Sequence, residues 1–372
     1  MIKEKKILHV IGKRPKGGIG TFLRNMHMGI DSSKIKFDYL INASPDEQGD
    51  FDKAVKGFGG DVFYLPELKY RNTINYIKKL NEFFKYHNEY DIVHLHTANI
   101  GVFTFAFALK YGIKYRILHS HNTKYSDKKL NSIRNYFLQL PVKKMANIFF
   151  ACSEKAGEFL FGNKNFDPKK MFIAKNAIDA DVFRFDEIKR INKRNEMNLQ
   201  NKIVIGHVGR FNPQKNHSFI IDIFKELHLQ NGNYYLILIG DGELKDQMIE
   251  KVKRENLMDS VVFLGNRNDI DELLQVMDLF LMPSLFEGLP LVGIEVQAAG
   301  LPCIMADSIT DELKITDYID FVSLSESSGH WSQVISEKLN MKRRDTYEEI
   351  VNAGYDIKNA AKKLEDFYSK LK

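Results

Sequence analysis

Short runs of aliphatic, β-branched and aromatic residues alternate along this chain with longer stretches whose apolar positions recur at helical spacing. The short runs predict strands over 6–12, 37–42, 61–65, 91–96, 115–121, 147–152 and 171–175 in the first half. In the second half they fall at 203–209, 235–239, 261–264, 279–282, 302–306 and 319–324. Strands this apolar, separated by helical stretches, imply parallel sheets covered on both faces. Two such series imply two doubly wound, Rossmann-like α/β domains. The pattern sets the first over 1–185 and the second over 200–354, with a polar, lysine-rich passage over 186–199 as the linker. A last helix, about 355–372, repeats its apolar face at Ala360, Ala361, Leu364, Phe367 and Leu371.

The stretch 286–302, F-E-G-L-P-L-V-G-I-E-V-Q-A-A-G-L-P, follows the predicted strand 279–282. Pro290 stands where a first helical turn would start, and Gly300 with Pro302 where the helix would stop. Nearly every residue between is apolar or small, so the helix is expected to be buried. Glu287 and Glu295 break that pattern. A carboxylate in such surroundings is costly unless it is hydrogen-bonded, either by the protein or by the hydroxyls of a bound sugar. Beside a helix start, whose amides favour anions, the pair describes a site for a polar ligand carrying phosphate.

In parallel α/β sheets ligands bind beyond the carboxyl ends of the strands, so the residues there carry the candidate chemistry. After the first strand comes Lys13-Arg14-Pro15-Lys16-Gly17-Gly18-Ile19-Gly20, then a helix expected from Thr21. This is not the dinucleotide fingerprint, and alone it reads as a tight turn. The next candidates are His94-Leu95-His96 and His119-Ser120-His121-Asn122. Four histidines at two strand ends raise zinc, but no acid or cysteine stands beside them, and hydrogen bonding to a sugar is the preferred reading. Lys175-Asn176-Ala177-Ile178-Asp179 forms a polar turn. Arg210 and Lys215, in Gly209-Arg210-Phe211-Asn212-Pro213-Gln214-Lys215, put two cations at one strand end, suited to a diphosphate. Gly240-Asp241-Gly242 and Gly265-Asn266-Arg267 end the next two strands. Asp269-Ile270-Asp271 has the form of a metal–nucleotide motif but reads better as a helix start rich in acids.

Composition narrows the function. Residues 1–185 carry 31 Lys and Arg against 18 Asp and Glu, a balance of +13; residues 186–372 carry 23 against 30, a balance of −7. A basic first half suggests an anionic substrate or surface, and no nucleic-acid motif accompanies it. Cys152 and Cys303 lie far apart within apolar runs and are expected to be buried thiols in a reducing compartment. The start of the chain runs directly into a strand, without the pattern of a signal peptide. The expected setting is cytoplasmic, with peripheral contact to the inner face of the membrane as the open question.

Together the glycine loop, H-S-H-N, K-N-A-I-D, G-R-F-x-x-x-K, G-D-G and the Glu287/Glu295 pair resemble the retaining family 4 glycosyltransferases of the GT-B fold, most closely the bacterial capsular and exopolysaccharide type. The resemblance covers nearly the whole chain. It implies two Rossmann-like domains facing across a cleft, the last helix crossing back to the first. A UDP-sugar donor would be held by the second domain, and a saccharide or polyprenyl-linked saccharide acceptor by the first. Arg210 and Lys215 would neutralise the leaving diphosphate, Glu287 would contact the donor sugar, and Glu295 would hold the ribose hydroxyls. Gly17 and Gly18 would approach the diphosphate, while Gly288, Leu289, Leu291, Gly240 and Arg267 would complete the donor side. His121 matches the histidine near the reacting sugar, with His119 as alternative and His96 and Asn122 nearby. No cofactor or metal is implied. One departure is Ser308-Ile309-Thr310-Asp311-Glu312, where many members have G-G-x-x-E. Two rivals share this architecture or its ligand: a hydrolysing UDP-sugar 2-epimerase, which would need carboxylates at the first domain's strand ends, and a non-catalytic nucleotide-sugar-binding scaffold.

Overall fold

A computed structural model of the chain describes residues 4–15, 17–47, 49–121, 129–162 and 171–371. It divides into two compact units, Met1–Ala177 with Ile357–Lys372, and Ile178–Asp356. The first unit is built on β1 (Lys5–Ile11), β2 (Ile35–Asn42), β3 (Val62–Leu65), β4 (Ile92–Leu95), β5 (Tyr115–Ser120), β6 (Ile148–Ala151) and β7 (Phe172–Ile173). They form one sheet in the order β3-β2-β1-β4-β5-β6-β7. The second unit holds β8 (Ile203–Val208), β9 (Tyr234–Ile239), β10 (Val261–Gly265), β11 (Leu279–Met282), β12 (Cys303–Ala306) and β13 (Ile319–Val322), in the order β10-β9-β8-β11-β12-β13. Neighbouring strands run parallel throughout. Each apolar run read from the sequence is a strand, because a strand buried on both faces has no polar side to show.

In both sheets the order reverses once, between β1 and β4 and between β8 and β11. Crossovers leave on opposite faces at such a point, so the two strand ends open a crevice. The candidate residues of each unit gather there.

The polar passage over 186–199 is not a linker. Most of it is a helix, Glu187–Glu196, capped by Asp186, whose side chain accepts from the amides of Ile188 and Lys189 at 2.9 and 3.0 Å. Arg190 and Arg194 both pair with Asp278 and hydrogen-bond carbonyls at the end of the helix Ile270–Val276. Cations suit a helix C-terminus, so a composition that reads as a solvated tether is instead packed into the second unit. The division falls earlier, at Ala177/Ile178.

The last helix, Ile357–Lys370, belongs to the first unit. Ile357, Ala361, Leu364 and Tyr368 are buried in a core with Phe22, Met26, Phe37 and Phe150. Fully burying a side chain such as Ile or Leu contributes about 1.5–3 kcal/mol. Gly29 makes the close approach possible, since a Cβ there would stand 2.6 Å from the Ala361 methyl.

Three local expectations change. The helix after β1 begins at Gly17, not Thr21, so the glycines form its first turn. Pro290 is the N-cap of the helix Leu291–Ala298 rather than its first residue. Cys303 is buried, but Cys152 is half-exposed. Among the described residues no helix is long and apolar enough to cross a membrane.

Candidate active site

At the switch point of the second sheet the loops after β8 and β9 lock together. Gly209 N–H donates to Ile239 O at 2.9 Å, Phe211 N–H to Asp241 O at 3.0 Å, and Gly240 N–H to Gly265 O at 2.8 Å. Gly240 has φ 131°, and a Cβ there would lie 2.1 Å from Gly209 O. Only glycine permits that contact. The lock presents Arg210 to a pocket of about 550 Å³, whose lining includes Gly240, Asp241, Asn266 and Arg267. Arg210 is 71% exposed and its guanidinium lies 3.2 Å from the Glu243 carboxylate.

Lys215 sits differently. The turn Pro213–Lys215 is capped by Asn212, whose side chain accepts from Lys215 N–H at 3.2 Å. Leu285 N–H donates to Gln214 O at 2.8 Å, and the Gln214 amide donates to Phe286 O at 2.9 Å. These bonds tie the turn to the loop after β11 and bring Lys215 Nζ to 2.7 Å from Glu287 Oε1, both side chains being mostly buried. Gly209 helps, since a Cβ there would stand 3.1 Å from the lysine stem. Two of the predicted site residues, 72 positions apart, thus form one ion pair.

Glu295 stands in the second turn of Leu291–Ala298 and is half-buried. Among the described residues nothing hydrogen-bonds or pairs with its carboxylate, and burial pushes it up to about 7. Glu287 therefore has a protein partner, whereas Glu295 has none. Phe286 is 50% exposed and Gly288 faces open space, while Leu289 and Leu291 flank the core. Arg267 is committed to Asp269 through two bonds of 2.8 and 2.6 Å. The Arg267 guanidinium pulls that carboxyl down to about 2. This pairing fits Asp269 as part of an acidic helix start rather than a metal ligand.

In the first unit, five histidines share one sheet face. His9 and His94 are register partners on β1 and β4; His119 stands on β5, and His96 and His121 stand one residue past the ends of β4 and β5. His9 Nδ1 lies 2.9 Å from His96 Nε2, and His96 Nδ1 lies 2.8 Å from His121 Nε2. A second chain runs from the Tyr368 hydroxyl to His94 Nδ1 at 2.7 Å, then from His94 Nε2 to His119 Nδ1 at 3.1 Å. Burial holds all five below the ordinary imidazole range, His121 at about 3. They are neutral at pH 7. His96, His119 and His121 line a pocket of about 500 Å³ with Lys13, Arg14 and Thr97. A Cβ on Gly18, in the first helical turn, would stand 3.6 Å from the Asn176 side-chain amide. Asn122 lies outside the described residues. His9 and Tyr368 escape motif reading, although a lone polar residue inside the apolar β1 run is a signal of sorts. Glu243 carries no signal, whereas Asn266 follows a predicted strand end.

The fold is that of the GT-B glycosyltransferases. Solved structures with the same fold include Anabaena Alr3699/HepE in complex with UDP (TM-score 0.79, 17% identity, covering 99% of this chain and 100% of that one). Another is WaaG, a glycosyltransferase involved in lipopolysaccharide biosynthesis (TM-score 0.66, 14% identity, covering 98% and 100%). Residues 16–182 match glycosyltransferase family 4, and residues 189–355 match glycosyl transferases group 1. EpsF of Bacillus subtilis (strain 168), named a glycosyltransferase, is 32% identical over 98% of this chain and 97% of its own. The chain belongs to glycosyltransferase family 4. It is also similar to the UDP-Gal:alpha-D-GlcNAc-diphosphoundecaprenol alpha-1,3-galactosyltransferase of Escherichia coli, 26% identical over 82% of this chain and 83% of that protein.

Proposed function

We propose that this glycosyltransferase moves a hexosyl or N-acetylhexosaminyl group from a UDP-sugar to a saccharide or polyprenyl-linked saccharide, with retention, in cell-surface polysaccharide biosynthesis. The observation that carries the reading is the Lys215–Glu287 pair beside Arg210 at the switch point of the second sheet. The Escherichia coli relative named above and a Staphylococcus aureus relative, the capsular polysaccharide biosynthesis glycosyltransferase CapH, support the substrate class.

In this mechanism the leaving UDP gathers negative charge in the transition state, and preorganised cations there lower the barrier. Among the described residues Arg210 is held only by an exposed pair with Glu243, an interaction worth little, and can turn onto the diphosphate. Lys215 is fixed by Glu287, so both groups are oriented before the donor arrives. Glu287 then accepts from donor-sugar hydroxyls and Glu295 from the ribose. Neutral His121 donates to the reacting sugar, and the departing phosphate assists front-side attack. Incubation with a panel of UDP-sugars and saccharide acceptors, with detection of UDP and of the product anomer by NMR, tests the reading. Release of a 2-epimerised sugar would establish the rival instead. That rival is disfavoured by the cations and histidines at the strand ends of the first unit, where it needs carboxylates.

The cations take the part a metal plays elsewhere, so turnover should survive EDTA. Loss of activity with chelator, restored by magnesium or manganese, would overturn this part and return Asp269 and Asp271 to consideration.

We propose further that the first unit docks on the cytoplasmic leaflet. In the helix Lys129–Met145, Phe137 is 63% exposed and Tyr136, Leu138 and Leu140 are also exposed, whereas Gln139 and Val142 are buried. The helical spacing of Phe137 and Leu140 leaves two readings open, a face turned to the core or one resting on lipid, and both residues are exposed. Arg134 and Lys144 are exposed on the same helix; Lys128 lies outside the described residues. Each cation near an anionic leaflet is worth ~1 kcal/mol. Sedimentation with phosphatidylglycerol vesicles should show binding that falls with salt and weakens in a variant with Phe137→Ser, Arg134→Gln and Lys144→Gln. Equal sedimentation with neutral phosphatidylcholine vesicles would sink the idea.

A further inference from the structure

The transfer reaction proposed above calls on one histidine, His121 or His119 in its place, yet five are assembled in a hydrogen-bonded cluster. His96, His119 and His121 each offer a ring nitrogen within 4.8 Å of the other two. His96 offers Nδ1 and His121 offers Nε2, the two atoms that now face each other at 2.8 Å. His119 has Nδ1 engaged by His94, and its Nε2 is buried with no partner among the described residues. A buried polar nitrogen left unpaired costs free energy that a ligand would recover.

The nitrogens on the far side of two of these rings are already held. His96 Nε2 contacts His9 Nδ1 at 2.9 Å, and His119 Nδ1 contacts His94 Nε2, which is backed in turn by the Tyr368 hydroxyl. Metal-binding histidines are oriented in this way, one nitrogen fixed by a hydrogen bond so that the other presents its lone pair. The rings are further pinned by stacking, His119 on His121 at 3.9 Å and His94 on His96 at 4.4 Å between centroids. His121 is the half-exposed member, and all three line the pocket, which among the described residues leaves one side open.

We propose that His96, His119 and His121 bind a divalent transition ion of the zinc type, with a fourth position open to the pocket. Three imidazoles and an open position are a zinc-type donor set. An all-nitrogen set rejects magnesium and calcium, which require oxygen ligands. Zinc–nitrogen bonds of about 2.0–2.1 Å in a tetrahedron separate the nitrogens by roughly 3.3 Å. His121 must therefore swing back about half an ångström from His96 and carry its proton on Nδ1, away from the ion. The ion is not a cofactor of the transfer. On the reading of His121 given above, it withdraws that ring from the sugar, and zinc inhibits.

The full chain, stripped with EDTA and dialysed, is titrated with Zn²⁺ by calorimetry and with Co²⁺ by visible absorption, where tetrahedral nitrogen ligation gives intense bands. One equivalent should bind, magnesium in large excess should not compete, and the cobalt bands should appear. His121→Gln, at a half-exposed strand end, should keep its melting temperature and lose at least tenfold in affinity; His119→Gln should lose affinity likewise. Cys152→Ser should bind as wild type, which excludes the half-exposed thiol as the ligand. No saturable binding, equal binding in His121→Gln, or loss of binding in Cys152→Ser would overturn the proposal. Calorimetry needs no turnover, so the site stands or falls apart from the transferase reading. Inhibition by zinc, reversed by EDTA, then tests the two together.

Discussion

Replacing Arg210 or Lys215 by alanine is expected to cut turnover with a UDP-sugar by about 10²–10³-fold, or about 2.7–4 kcal/mol, the cost of removing one preorganised donor from a developing anion. The two variants should differ in stability, because the two cations sit differently. Arg210 is 71% exposed and its contact with Glu243 is a surface pair, so Arg210→Ala should melt with the wild type. Lys215→Ala leaves Glu287 with 11% side-chain exposure and no counter-charge. An uncompensated carboxylate in that position is destabilising, and the melting temperature should fall. Adding Glu287→Gln should recover the stability without recovering turnover, since paired residues do not act additively. Circular-dichroism melts and UDP release separate the two effects. Wild-type turnover in either single variant would remove that residue from the reaction.

Glu295→Gln is expected to stabilise the free protein at pH 8 and to weaken UDP binding about 10–100-fold. Burial raises this carboxyl from its ordinary 4.5 to about 7, so the folded state prefers the protonated form. The unfolded chain ionises first. The penalty is therefore absent below about pH 4.5, grows as pH rises, and is complete above about 7. The glutamine variant should gain in melting temperature over the wild type at pH 8 and show no gain near pH 4.5. Binding should show the reverse. Hydrogen bonds to a charged acceptor contribute about 1.5–3 kcal/mol each, and two ribose hydroxyls would draw the carboxylate back to its charged form. Wild-type protein should then release a proton on binding UDP near pH 7, read by calorimetry in buffers of different ionisation enthalpy. An unchanged UDP affinity in Glu295→Gln, or the absence of proton release, would take Glu295 off the ribose.

Both predictions use residues that could be named from the sequence but whose relations could not. The Arg210, Lys215, Glu287 and Glu295 positions follow from motif and strand end. That Lys215 pairs with Glu287, that Arg210 stays exposed beside Glu243, and that Glu295 has no partner among the described residues are facts of folding alone. The same holds for the histidines. Four stand out as H-x-H pairs, but His9 is a single residue in an apolar strand, and its place follows only from the β1–β4 register.

Hydrophobic periodicity alone determined the strands and the parallel, doubly wound class, because burial on both faces is written locally in each run. The same local code misreads where composition and context part. The glycines at 17–20 carry no apolar signal, so the helix start is hidden in them. The cations of Glu187–Glu196 look solvated until Asp278 and the carbonyls of another helix are set beside them. Tertiary structure decided which strand ends meet, hence which loops pair and which polar groups are left unpaired. The physical reason is that the order of strands in a parallel sheet is set by crossovers spanning tens of residues. No stretch of sequence short enough to show a pattern contains both sides of the contacts those crossovers create.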